Sequence, residues 1–119
     1  MITEDYVSFE IAKLLKEKGF DEDSWFHYDA DGDIVSRGYR LNMPEDIPTW
    51  TLQMAMKWLR DVHHIHIEVH LDSMDGIHPI YKALYSECVT IRTNNFIDYG
   101  DTYEEACEAA IKYCLENLI

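Results

Sequence analysis

Residues 63–70 read HHIHIEVH and gather four of the chain's six histidines into one short run. In an extended strand, alternate side chains share a face, which puts His64, His66, Glu68 and His70 on one side. A His-x-His pair of this kind points two imidazoles the same way, a geometry suited to a transition metal. His64 and His70 are six residues apart, roughly 20 Å at strand rise, so one ion cannot reach the whole row. A metal site therefore needs His64 and His66, or His66 and Glu68, plus a ligand from a neighbouring strand. Cys88 is the candidate, because the alternation after residue 80 places it on the polar face. The competing reading is a solvated strand face, with imidazoles beside Arg92 or Lys82. That reading is the one expected here, with a proton-driven switch as a further possibility for the same row.

Other chemistry-bearing residues have simpler explanations. DADGD (29–33) suggests a calcium loop, but an EF-hand starting at Asp29 needs Gly at its sixth position and Glu at its twelfth. The chain has Ile34 and Arg40 there. Asp31-Gly32 instead reads as a hairpin turn. Cys107 and Cys114 lie two helical turns apart, about 10 Å, too far for a disulfide between them, and are expected in the core. Cys88 with a strand histidine would be a nucleophile pair, but no motif supports it. No P-loop, GxGxxG or GxSxG occurs, so no catalytic residue is assigned and no cofactor is expected. Trp25, Trp50 and Trp58 sit near element edges. They are expected as core bulk, with a partner surface as the alternative.

Composition narrows the function classes. The chain has 119 residues, 47% of them apolar, and a formal net charge of −13. The length fits a single domain over residues 1–119. Phosphate recognition needs clustered cations, and ten Lys and Arg are scattered among 23 acids, so direct nucleic-acid binding is not expected. No long apolar run or basic-then-apolar leader is present, so neither membrane insertion nor secretion is expected. Three cysteines without a CxxC fit reduced thiols in the cytoplasm. Residues 1–47 and 72–119 carry −7 and −6, while residues 48–71 carry zero and four of the histidines. That middle segment is expected to become locally positive below about pH 6.5, the ordinary histidine value.

The elements that must position these residues follow from periodicity. SFEIAKLLKEKGF predicts a helix capped by Ser8, with Thr3 as a competing start, closing at Gly19 with Phe20 as the hydrophobic residue after it. WFHYDADGDIVSRGYRL predicts a hairpin pairing Asp29 with Ile34, Tyr28 with Val35 and Phe26 with Arg37. Phe26, Tyr28 and Val35 then face the core. PTWTLQMAMKWLRDVH predicts a helix capped by Thr49, with Leu52, Ala55, Leu59 and Val62 as its inner stripe beside Trp58. IHIEVHL predicts a strand with Ile65, Ile67, Val69 and Leu71 inward. Residues 80–93 alternate as one strand or two, with Tyr85, Val89 and Ile91 opposite Ser86, Cys88, Thr90 and Arg92. NNFIDYGD predicts a turn. The last segment predicts a helix with a Thr102–Glu105 capping box and an inner stripe of Tyr103, Ala106, Cys107, Ala110, Tyr113, Cys114 and Leu118. The order α-β-β-α-β-β-α implies an α+β fold in two layers, with helices on one face of a mainly antiparallel sheet. The other face then meets water or a partner.

The blocks SFEIAKLLKEKGF, PTWTLQMAMKWLRDVHHIHIE and TYEEACEAAIKYCLENLI resemble a family of short uncharacterised acidic proteins of gut bacteria and their phages or mobile elements. The likeness covers most of the chain, in the same block order, with 72–80 and 94–101 as the variable loops. It implies a cytoplasmic, single-domain protein of bacterial or phage origin and assigns no role to any residue. The expected function is that of a small non-catalytic interaction or regulatory module that binds a protein partner or itself. The alternative is a transition-metal-binding protein using His64, His66 and Cys88.

Overall fold

A computed structural model describes residues 5–21, 24, 26–29, 31–36, 47–72, 79–87 and 94–119. The described chain combines helices with antiparallel sheets, as an α+β reading requires. It holds helix α1 (Phe9–Glu17), strands β1 (Phe26–Tyr28), β2 (Ile34–Ser36) and β3 (Ile47–Thr49), helix α2 (Leu52–His63), strands β4 (Ile65–Leu71), β5 (Tyr81–Glu87) and β6 (Asn95–Gly100), and helix α3 (Tyr103–Asn117). The order differs from the expected one by two strands, β3 and β6. Two separate antiparallel sheets form, ordered β2-β1-β3 and β4-β5-β6.

Helix α1 begins and ends where its sequence dictates. The Ser8 hydroxyl accepts the Ile11 N–H at 3.3 Å, satisfying one of the free donors of the first turn. Gly19 has φ 97°. Its N–H donates to the Lys16 carbonyl at 3.2 Å, and the Phe20 N–H donates to the Leu15 carbonyl at 3.0 Å. This pair of bonds is a Schellman closure. It turns Phe20 into the core, edge-on to both Trp50 and Trp58.

The hairpin register is corrected by one residue. Tyr28 pairs with Ile34, His27 with Val35 and Phe26 with Ser36. The cause is the Asp29 carboxylate, whose Oδ1 accepts the N–H groups of both Asp31 and Asp33 at 2.9 Å. Those bonds favour a three-residue loop closed by Gly32 at φ 82°, in place of a two-residue turn on Asp31-Gly32. Val35 therefore sits opposite His27, and Ile34 takes its place beside Tyr28. Tyr28 still reaches the core, where its hydroxyl donates to the Val7 carbonyl at 2.6 Å.

β3 runs where the sequence suggested only a helix start. Pro48 pairs with His27, and Thr49 with Phe26, in an extended segment. Just past β3, residues 5–7 pair with residues 50–52, with Tyr6 opposite Thr51. There the Val7 N–H donates to the Trp50 carbonyl at 2.9 Å and the Leu52 N–H to the Asp5 carbonyl at 3.0 Å. Proline fits an extended segment because it lacks an N–H and fixes φ. The cap of α2 is consequently Thr51, whose hydroxyl accepts the Met54 N–H at 3.1 Å, while Thr49 is buried in the strand. The inner face of α2 is Leu52, Ala55, Met56 and Leu59. Val62 is 55% exposed and does not belong to it.

NNFIDYGD is likewise strand β6 rather than a turn. Its pairing with β5 slips between Ala83 and Leu84. This bulge interrupts the simple alternation that would have marked a strand. Helix α3 packs against β4, β5 and β6 and against the other two helices. Ala106, Cys107, Ala110, Ile111, Cys114 and Leu115 are all fully buried. Ile111 and Leu115 widen the stripe beyond the expected one. Its cap is half of the expected box. The Thr102 hydroxyl accepts the Glu105 N–H at 3.1 Å, but the Glu105 carboxylate reaches Asp101 N–H rather than Thr102.

Gly100 is where β6 meets α3. A Cβ built there would lie 2.6 Å from the Ala106 backbone nitrogen. Gly100→Ala should therefore lower stability by about 2 kcal/mol or more, because backbone cannot yield as a side-chain tip does. Gly19→Ala meets open space and should cost only about 1 kcal/mol, for its left-handed backbone. Urea denaturation of both variants checks this order.

Candidate functional site

The histidine run divides between two elements. His64 is not on the strand. It is the C-cap of α2, left-handed at φ 58°, and its N–H donates to the Leu59 carbonyl. The αL turn is required because α2 leads into β4 with no intervening loop. His63 remains on the helix, its ring edge-on to Trp58 with centroids 4.6 Å apart. The expected four-residue face thus begins at His66. Glu68 stands between His66 and His70, with one oxygen 3.5 Å from His66 Nε2 and the other 3.2 Å from His70 Nε2. Ile65 and Ile67 point the opposite way into the core.

Across the sheet, His66 pairs with Ser86, Glu68 with Leu84 and His70 with Lys82. Lys82 pairs onward with Tyr99, and Leu84 with Phe96. The Lys82 ammonium lies 5.8 Å from the Phe96 ring centre, and the Phe96 and Tyr99 rings are 4.9 Å apart. Phe96 is 50% and Tyr99 47% exposed. This face is wet and mixed along most of its length, although Ser86 beside His66 is buried.

Of the three candidate metal ligands, His66 is on the sheet face, His64 is at the helix end, and Cys88 lies outside the described residues. The second half of the 80–93 alternation lies outside them too. Among the described residues, no three His, Cys, Asp or Glu side chains are grouped to hold a metal ion.

The other two thiols sit in the α3 core. Burial pushes Cys107 up to about 11 and Cys114 up to about 12, from an ordinary value of 9.0. Their surroundings favour neutral thiols, not nucleophiles. Burial also raises Glu108, whose carboxylate accepts the Ser8 N–H at 2.7 Å and ties α3 to the start of α1. A second tie joins the same helices, Lys112 to Glu10 at 3.1 Å. Sequence alone gives no signal for either pairing, because the partners lie about 100 residues apart.

One further feature escaped sequence reading. His27 has both ring nitrogens buried, with no hydrogen-bond partner among the described residues. Its histidine type gave no hint, because the cost arises only when the hairpin register turns the ring away from water.

An apolar groove lies on the outer side of α2. Phe20, Met54, Lys57, Trp58, Asp61 and Val62 line a shallow groove of about 460 Å³. Met54 is 40% exposed, and Val62 more so. Trp50 is buried core, Trp58 is half-buried at the groove wall, and Trp25 lies outside the described residues. Trp50 therefore takes the core role expected of it, while Trp58 packs on Phe20 and lines the groove. Among the described residues, no helix is long and apolar enough to cross a membrane. No known protein family, curated protein or solved structure matches the chain.

The raised thiols make a pH prediction. A thiol that holds its proton more tightly when folded stabilises the fold fully below its unfolded value. That contribution is lost as pH climbs through the folded values, here from about 9 towards 11–12. The urea midpoint should fall between about pH 8 and pH 10.5, and fall less steeply in Cys107→Ala/Cys114→Ala. In a Cys88→Ser background, neither thiol should react with Ellman's reagent at about pH 8 until the protein is unfolded.

Proposed function

We propose that the chain is a small, acidic, non-catalytic interaction module that takes a protein partner in the α2 groove. The observation that carries this reading is the exposed apolar pair Met54 and Val62, set beside the Phe20 and Trp58 rings in one groove. Large apolar side chains left together at a surface are a common mark of protein–protein contact. Met54 adds a flexible, polarizable side chain suited to such contacts. The groove belongs to the charge-neutral middle of a chain whose net charge is −13. A partner meets a neutral apolar centre within an acidic whole, and a basic partner is drawn towards it. The same acidity repels nucleic acid and anionic lipid. Cytoplasmic residence and a phage or mobile-element origin complete the reading, and both rest on the family resemblance and the cysteine usage.

The test is capture of bacterial proteins on immobilised wild type and on Met54→Asp/Val62→Asp. Both side chains lie at the surface and outside the inner stripe of α2, so the double variant should keep its melting temperature within a few degrees. It should lose at least nine-tenths of any protein the wild type retains. Equal capture by the two proteins, or no specific capture by either, overturns the groove as a partner site.

A further inference from the structure

β4 is an edge strand. Among the described residues it pairs only with β5, leaving the opposite side of seven residues, Ile65–Leu71, without a strand neighbour. Such an edge presents free backbone donors and acceptors, and proteins commonly blunt it with proline, lysine or a bulge. β4 contains no proline or lysine, and its pairing with β5 runs through all seven residues without a slip.

The side chains of β4 are arranged symmetrically about its centre. Glu68 is the middle residue, with His66 and His70 two positions to either side. The inward row is graded. Ile65 is 2% and Ile67 6% exposed, Val69 is half-buried, and Leu71 is 63% exposed. An antiparallel second copy, related by a two-fold axis at Glu68, pairs every residue of the strand. Ile65 then faces the partner copy's residue 71, so the exposed Leu71 of each copy meets a buried isoleucine. Residues 67 and 69 pair in the same way. On the other face, His66 lies opposite residue 70 of the second copy, and the two Glu68 carboxylates lie side by side.

We propose that two copies of this chain join through β4 in this register, extending the sheet to six strands, and that protonation of His66 and His70 permits the contact. Two abutting carboxylates repel, as do two chains that each carry −13. Four imidazolium groups around the carboxylate pair offset the first repulsion. Protonating all six histidines lowers each chain to −7 and weakens the second. Imidazoles as a class change charge between pH 5 and 8. The other polar groups on this face are Lys82 and Ser86 on β5 and, one strand further, Tyr99 on β6, beside the apolar Leu84 and Phe96. Only Lys82 among these carries charge at neutral pH, and it points over Phe96. Helices α2 and α3 pack on the other face, where Ile65 and Ile67 enter the core. Asp72, following the strand, lies beyond the paired residues. This interface is separate from the α2 groove and does not depend on it.

The test uses the full-length chain in a Cys88→Ser background. Sedimentation velocity should show dimer association at least tenfold tighter at about pH 6 than at pH 8, the span over which imidazoles as a class change charge. His66→Gln/His70→Gln should abolish that difference, and Glu68→Gln should strengthen the dimer at pH 8. Register is tested by disulfide trapping. Residues directly opposite across an antiparallel pair have Cα atoms about 4.5–5.5 Å apart, within disulfide reach. Glu68→Cys should therefore cross-link to itself. His66→Cys should not, because the two copies of residue 66 are offset by about 14 Å along the strands. A monomer at both pH values overturns the proposal. So does a dimer in which His66→Cys cross-links as readily as Glu68→Cys, or one abolished by Met54→Asp/Val62→Asp, which would place self-association in the groove.

Discussion

The close approach of α3 to both the strands and the other helices is the constraint on which the rest of the molecule depends. The helix is buried along Ala106, Cys107, Ala110, Ile111, Cys114 and Leu115. Two of those six are Ala, and Ala106 also meets Gly100, which has no side chain. Small residues let backbones come near, and the larger Ile111 and Leu115 fill the volume beyond them. Glu108 and Lys112 project from the same helix to the start of α1 and bind it there. One helix thus holds the β4-β5-β6 sheet at one side and α1 at the other. A change at its small face moves both.

That arrangement explains which surfaces are left over. With α3 on the inner face of β4-β5-β6, the His66–Glu68–His70 row and the Phe96–Tyr99 pair are turned outward. With the inner stripe of α2 used at Leu52, Ala55, Met56 and Leu59, Met54 and Val62 remain on its outer side. The buried thiols are then part of the packing, not chemistry, since desolvation disfavours their ionised forms. The surfaces able to act are a groove, a sheet face and a strand edge.

Much of the local structure was legible in the chain. The Ser8 cap, the Gly19 closure, the Thr102 cap and the inward isoleucines of IHIEVH depend on residues a few positions apart, and they stand as expected. The errors came where a distant contact outweighs a local preference. Pro48-Thr49 reads as a helix entry, but pairing with β1 draws it into a strand. NNFIDYGD reads as a turn because of its Asn, Asp and Gly content, yet pairing with β5 makes it β6. Asp31-Gly32 reads as a two-residue turn, and the two bonds made by Asp29 shift the register by one.

The acidic balance, the alternation of β4 from Ile65 and the helical periods are readable from the chain, because they depend on composition and on neighbours within a turn or a pleat. Tertiary packing alone takes His64 from the histidine row to a helix cap, keeps Val62 at the surface and, among the described residues, puts β4 at the edge of its sheet. Each of those outcomes depends on which backbone lies alongside, and pairing between segments far apart in the chain leaves no periodic trace in either one.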